Sequence, residues 1–401
     1  MPDADLTFDA DQAVARLLRF LSVEGVTGRE QAIGREVVRA LIEAGIPRRA
    51  IQFDHANEQI PLPTETGNLI VTLPGTRPGP QRLFMTHLDT VPLCAGAVPV
   101  RKGNRIVAAG NTALGGDNRT GVACLVTMLA TLLERQLPHG PMTVLFTVRE
   151  ESGLWGARYV DPADLGNPVE AYNVDGGSPA EITIGAVGAE RWEVEINGKA
   201  SHAGAHPEQG ISATAVAALA LAQAYNGGWF GKIVKDGSEG TSNVGSFGGH
   251  DGQSAGEATN VVTDYVHIRG EARSHDPRFV RAITSAYRDA FRAAADQVRN
   301  HQGRAAKVKF RTRLDYHPFR LKPDAPVVQR ALAASKRAGM TAATRLTNGG
   351  LDANWLVRHG IPTITFGAGQ RDVHTVEEYV DLADFTKGCR LALALATQES
   401  V

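Results

Sequence analysis

Residues Arg82-Leu83-Phe84-Met85-Thr86-His87-Leu88-Asp89 form a short apolar run that ends abruptly in a histidine and an aspartate two positions apart. The run is too short for a helix, follows the breakers Pro78-Gly79-Pro80 and is closed by Pro92, so it predicts a buried strand. Side chains two apart point to the same face of an extended chain, which lets an imidazole and a carboxylate converge just past the strand's end. A His-x-Asp triplet alone is a weak signal, because a solvated turn with an ion pair reads the same way. Its weight comes from four further stretches that end in the same manner.

Met142 to Val148 is a second run of β-formers and delivers Glu150-Glu151. Ala171-Tyr172-Asn173-Val174 delivers Asp175 just before Gly176-Gly177, and Pro362 to Phe366 is followed by a glycine loop that reaches His374. Asp117, after Gly115-Gly116, opens a helix with the apolar stripe Val122, Leu125, Val126, Leu129, Leu132 and Leu133. Strands alternating with helices predict an α/β fold, a mostly parallel sheet with helices on both faces and ligand sites beyond the strands' carboxyl ends. Upstream, Asp9 to Ile46 reads as two helices, the second starting at Thr27 with a capping box through Glu30. Val91 to Asn111 reads as loop with short extended pieces.

From about Gly188 the texture changes. Arg191 to Ile196 and Val261 to Glu271 alternate as half-exposed strands, Ile211 to Tyr225 is an alanine-rich helix, and Pro277 to His301 is another helix before the strand Lys307 to Phe310. This predicts a smaller α+β domain over residues 188–314, inserted into a catalytic domain of residues 1–187 and 315–401.

Forty-two basic against 43 acidic side chains leave no net field for nucleic acid or an anionic membrane surface. Cys94, Cys124 and Cys389 are scattered and show no Cys-x-x-Cys spacing, which argues against a disulfide framework or a thiolate metal site and for a reducing cytoplasm. The start, Met1 to Asp5, is acidic rather than a charged-then-apolar leader, and no apolar stretch approaches the ~18 residues of a membrane span. A soluble, unprocessed protein is expected.

His87, Asp117, Glu151, Asp175 and His374 are two imidazoles and three carboxylates at strand ends or a helix start. That donor set suits two zinc ions, with cobalt or manganese as substitutes, because zinc accepts nitrogen and carboxylate oxygen and a carboxylate can bridge two ions. Asp117 is the expected bridge. Glu150, adjacent to a ligand but pointing elsewhere, is free to act as a base toward the attacking water and then to hand the proton to a leaving amine. Asp89 is placed to fix the tautomer of His87.

The series Thr86-His87-Leu88-Asp89, Gly115 to Gly121, Glu150-Glu151-Ser152-Gly153, Asn173 to Gly177 and His374 resembles the dinuclear zinc exopeptidase family of peptidase T, carboxypeptidase G and aminoacylase. Val174-Asp175-Gly176-Gly177 and Gly349-Gly350-Leu351-Asp352 bring it nearest to the peptidase T branch. The resemblance implies a metal-dependent exopeptidase acting on short peptides next to a free terminus through a zinc-bound water. The alternative is a deacylase, carbamoylase or carboxypeptidase acting on N-substituted amino acids. It also implies His87 and Asp175 on one ion, Glu151 and His374 on the other, and a homodimer formed through the inserted lid. His202, in Gly198 to Gly204, would stabilise the transition state, and Asn260, Arg273, Gly349 and Gly350 would contact substrate. His202 and Arg273 are expected to project from one end of the small sheet. Asn118-Arg119 stands where relatives commonly carry Asp-Lys, Trp355 is expected to pack in the core, and His206, His250 and His317 to lie at the surface.

Overall fold

In the computed structural model, which describes residues 6–399, the opening run forms the strand Arg82–His87, buried at every position. It lies parallel to Met142–Thr147 on one side and to Glu170–Val174 on the other, and Thr363–Phe366 extends the parallel centre beyond Glu170–Val174. Antiparallel strands flank this centre: Leu69–Leu73 and then Ile51–Phe53 at one side, Glu181–Ala186 at the other. The α/β fold with a mostly parallel centre is as expected.

Alternation along these strands builds two cores. Phe84, Val144, Tyr172 and Phe366 face a large apolar layer with the helices Ala10–Leu21, Gly116–Glu134 and Leu382–Thr397. Leu83, Met85, Leu145 and Ala171 face a smaller one with Ala157, Leu356 and Ile361. Burying one such leucine or phenylalanine side chain contributes about 1.5–3 kcal/mol, so the pattern pins the register of the whole sheet. The chain leaving Arg82–His87 crosses to Met142–Thr147 on one side, while the chain leaving Glu170–Val174 passes to Glu181–Ala186 on the other. A crevice therefore opens beyond the ends of these two neighbouring strands, where ligands of such sheets bind.

One local expectation changes, and another gains detail. The second helix is Gln31–Glu43, not a helix from Thr27. Thr27 donates to the Ser152 hydroxyl at 2.8 Å, and the buried Glu30 carboxylate accepts from the Gly28 and Arg149 amides at 2.7 and 3.1 Å, so the capping box does not form. Within Val91 to Asn111, Pro99–Lys102 and Arg105–Ala108 form a hairpin, which joins Gln370–Arg371 and Tyr379–Asp381 in a four-stranded sheet.

The chain packs as two units: residues up to Gly185 with Arg320–Thr347 and those from Leu351, and Ala186–Phe319 with Asn348–Gly350. The second unit holds a five-stranded antiparallel sheet in the order Gly231–Lys235, Ser238–Gly248, Tyr265–Ser274, Gly188–Asn197, Lys307–Tyr316. Helices Ala213–Asn226 and Pro277–Gln297 pack on it, and Trp192 stacks between Tyr287 and Phe310 with ring centroids at 4.6 and 5.6 Å. No helix among the described residues is long and apolar enough to cross a membrane.

Candidate metal centre

The strand ends converge. His87 closes Arg82–His87, and its Nε2 lies 3.1 Å from Asp117 Oδ1 and 3.9 Å from Asp175 Oδ1. His374 arrives in the turn between Gln370–Arg371 and Tyr379–Asp381, and its Nε2 lies 3.2 Å from Asp117 Oδ2 and 2.9 Å from Glu151 Oε1. Asp117 thus offers one oxygen to each imidazole, with Asp175 on the His87 side and Glu151 on the His374 side. His87, Asp117 and Glu151 can bring ligand atoms within 4.8 Å of one another. The donor set and its two-sided arrangement fit a pair of divalent ions bridged by a carboxylate.

The electrostatics describe a site short of positive charge. Burial, then the Asp117 charge, pushes Glu151 up to about 7 and Asp175 up to about 6. Burial also drives Glu150 well above the carboxylate range. Hydrogen bonds to Asp117 and then Glu151 raise His374 to about 10. His87 is pulled down by burial but more than restored by Asp117 and Asp89, so it too lies well above its usual value. Both imidazoles are thus shifted toward their charged form, and divalent ions would relieve the same crowding.

Asp89 reaches His87 and also the turn that carries Glu150. The His87 Nδ1 lies 3.0 Å from the Asp89 carbonyl oxygen and 3.4 Å from its carboxylate, while the fully buried carboxylate accepts the Glu150 and Glu151 amides at 3.0 and 3.1 Å. One residue therefore orients both the imidazole and the turn that carries the base. Arg149 and His374 sit at φ 53° and 65°, the left-handed region that costs non-glycine residues about 1–3 kcal/mol. Among the described residues, nothing hydrogen-bonds the Glu150 carboxylate, which leaves it free to accept a proton.

Sequence reasoning missed two supporting acids. Glu378 is buried, and its carboxylate accepts the Leu114 and Gly115 amides, each at 2.8 Å, and the Asp117 amide at 3.0 Å. Gly115, at φ 82°, makes the turn that gathers these amides. The signal was a second adjacent acid pair, Glu377-Glu378, which precedes a short strand where Glu150-Glu151 follows one. We expect Glu378→Ala to lower metal affinity about 10–100-fold, the usual effect of losing such an outer partner. Metal titration checks this, with Glu377→Ala as the control that leaves affinity unchanged. The second acid is Asp352, which accepts from the Thr147 hydroxyl and is pushed up to about 7 by burial. Asn118 and Arg119 are likewise structural: Asn118 donates to the Val174 carbonyl at 2.7 Å, and the buried Arg119 donates to the carbonyls of Phe20, Leu88 and Val23.

In the second unit, His202 and Asn260 are neighbours, since the Ala203 amide donates to the Asn260 carbonyl at 2.8 Å. His202 is exposed, and its Nδ1 accepts the Gly204 and Ala205 amides at 3.1 and 3.0 Å, so the ring proton sits on Nε2. Arg273 does not share that end of the sheet, contrary to expectation. Tyr265 pairs with Asn197 beside the His202 loop, whereas Arg273 pairs with Ala189, eight rows away or about 26 Å along the strand. The Arg273 guanidinium takes both Glu271 oxygens, at 2.9 and 3.1 Å. Gly349 and Gly350 pack with this unit, and a Cβ at Gly350 would lie 2.4 Å from the Tyr316 ring, so only glycine fits. Trp355 packs on the smaller apolar layer of the first unit as expected; His206 and His250 are exposed and His317 half-buried.

A family profile described as Peptidase family M20/M25/M40 matches residues 83–398. The uncharacterized Bacillus subtilis (strain 168) protein YqjE is 33% identical over 330 residues, covering 82% of this chain and 84% of the relative. The crystal structure of aminopeptidase PepT from Bacillus cereus superposes with a TM-score of 0.82 at 30% identity, over 97% of this chain and 98% of that one. A tripeptidase from Staphylococcus aureus superposes with a TM-score of 0.86 at 26% identity, with the same coverage.

Proposed function

Because the chain belongs to peptidase family M20/M25/M40 and is a metallohydrolase of that family, we propose that it is an aminopeptidase of the peptidase T type, hydrolysing short peptides next to a free terminus. The observation that carries this reading is Asp117 offering one oxygen to each of His87 and His374, with the unbonded Glu150 carboxylate beside them. Two divalent ions, held by His87, Asp117 and Asp175 and by His374, Asp117 and Glu151, would supply Lewis acidity toward the substrate carbonyl. Glu150 takes the proton of the attacking water and delivers it to the leaving amine. Asp89 and Glu378 keep the base turn and the Asp117 loop in register. A reducing cytoplasm suits the three buried cysteines, none of them in a disulfide. Mass-spectrometric analysis of products from dipeptides, tripeptides and N-acyl amino acids, with and without added zinc, is the test. Cleavage confined to N-acyl or N-carbamoyl amino acids would replace the peptidase reading with the deacylase or carbamoylase one.

The Nε2–H of His202 is a hydrogen-bond donor for the oxyanion that forms as water attacks, and Arg273 is a fork that would take a substrate carboxylate in exchange for Glu271. Their separation along one sheet supports a dimer in which each site takes one of these groups from each lid, since a short peptide does not span about 26 Å. His202→Ala is expected to lower kcat about 10²–10³-fold, as for loss of one oxyanion donor. Mixing inactive Glu150→Gln with inactive His202→Ala subunits should then restore part of the activity. Verified mixed dimers that show no recovery would put His202 in its own subunit's site.

A further inference from the structure

Four successive amides of the turn that carries Glu150 donate to side chains rather than to a neighbouring strand. Val148 donates to Asn68 Oδ1 at 3.1 Å, Arg149 to Glu30 Oε1 at 3.1 Å, and Glu150 and Glu151 to the two oxygens of Asp89 at 3.0 and 3.1 Å. The turn and all three acceptors lie in the first unit. Arg149 is the member in the left-handed region, at φ 53°, so the direction of its amide sets the bend just before the base.

Glu30 reaches this bend from far away in the chain. It is fully buried, stands immediately before the helix Gln31–Glu43 and gives that helix no side-chain cap. Its Oε1 accepts the Gly28 amide at 2.7 Å as well as that of Arg149, while Oε2 is buried and has no hydrogen-bond partner among the described residues. Burial, then the Asp89 charge, raises the carboxyl to about 7, so negative charge is not what this position favours. The Arg149 side chain closes the contact from the other side. Its guanidinium donates to the Pro63 carbonyl, to the Thr64 hydroxyl at 2.7 Å and to the Ser152 hydroxyl at 3.1 Å, and a Cβ at Gly28, where φ is 87°, would lie 2.2 Å from it.

We propose that Glu30 is a positioning residue for the hydrolysis: through the Arg149 amide it fixes the bend that holds the Glu150 carboxylate in its reacting direction. The inference rests on the reading of Glu150 as the base and extends it to the residue that aims it. The role needs an acceptor oxygen at the right reach, not a charge. A misplacement of about 1 Å in a reacting group costs about 10²-fold in rate, so a contact one residue away from the base has leverage on kcat.

Two substitutions separate reach from charge. Glu30→Gln keeps an oxygen for both amides and puts its NH₂ where the native oxygen has no partner, so kcat on the panel substrate cleaved fastest should stay within about threefold. Glu30→Asp keeps the carboxylate but draws it back by one carbon–carbon bond, about 1.5 Å, and should lower kcat about 10–100-fold with KM within about twofold and metal content unchanged. The reverse order, with Asp active and Gln inactive, overturns the proposal. Placed in Glu150→Gln protein, Glu30→Asp should add no further loss, because the group it aims is already gone; a loss that adds in full also overturns it. Hydrogen exchange reads the turn without substrate or metal. The amides of residues 148–153 should exchange about tenfold faster in Glu30→Asp than in wild type, and at the wild-type rate in Glu30→Gln. Equal protection in all three proteins overturns the proposal. Faster exchange in Glu30→Asp, together with normal turnover by Glu150→Gln, supports the positioning of the turn and sinks only the reading of Glu150 as the base.

Discussion

Asp117→Ala is expected to take the protein from about two divalent ions per chain to about none, with hydrolysis lost in the same step. Its two oxygens face two different imidazoles, at 3.1 and 3.2 Å, so one substitution removes a ligand from both halves of the site. Truncating either flanking acid, Asp175 or Glu151, should instead weaken one half. Loading must also displace protons, because a metal binds neutral imidazole while His374 is raised to about 10 and His87 lies well above its usual value. Metal affinity should therefore fall as pH drops, and falls further as Glu151 and Asp175, at about 7 and 6, take up protons. Stoichiometric metal analysis of wild type and Asp117→Ala, with calorimetry in buffers of different ionisation enthalpy to count released protons, checks both parts. A variant that keeps both ions would remove Asp117 as the bridge.

Glu150→Gln is expected to keep the fold and the metal content and to lose about 10²–10⁴ in kcat, the range for removing a general base. The amide preserves the shape and the backbone bond that the Glu150 amide donates to Asp89 at 3.0 Å. It cannot take a proton. Because no described group hydrogen-bonds the native carboxylate, the substitution strands no partner, and a stability change comparable to an ordinary buried polar loss is not expected. KM should move little, since the loss falls on the transition state alone. Steady-state kinetics with parallel metal analysis decide it: near-normal turnover with full metal would sink the assignment of Glu150 as the base.

The strands, their alternating apolar faces and the five ligand-type residues at strand ends or a helix start were legible in the chain. Apolar runs of four to eight residues bounded by Pro and Gly read as strands because period and breakers act locally. The chemistry of an imidazole or a carboxylate travels with the residue itself. The expected capping box at Thr27 failed for the opposite reason. Glu30 bonds the Arg149 amide, 119 positions away, and a contact of that kind outweighs a local cap worth about 1 kcal/mol.

Sequence alone therefore determined the sheet type, the rim on which the candidate ligands gather and the residue types they bring there, all carried by local pattern and side-chain chemistry. Tertiary structure alone decided that Glu378 gathers the amides of the Asp117 loop from 261 positions away and that Asp89 holds the base turn through its carboxylate. It also separated His202 from Arg273. An antiparallel strand displays its residues on one face from end to end, and only the pairing with Gly188–Asn197 says which end each side chain occupies. Hydrogen-bond partners and register are properties of two segments brought together, and no pattern within either one contains them.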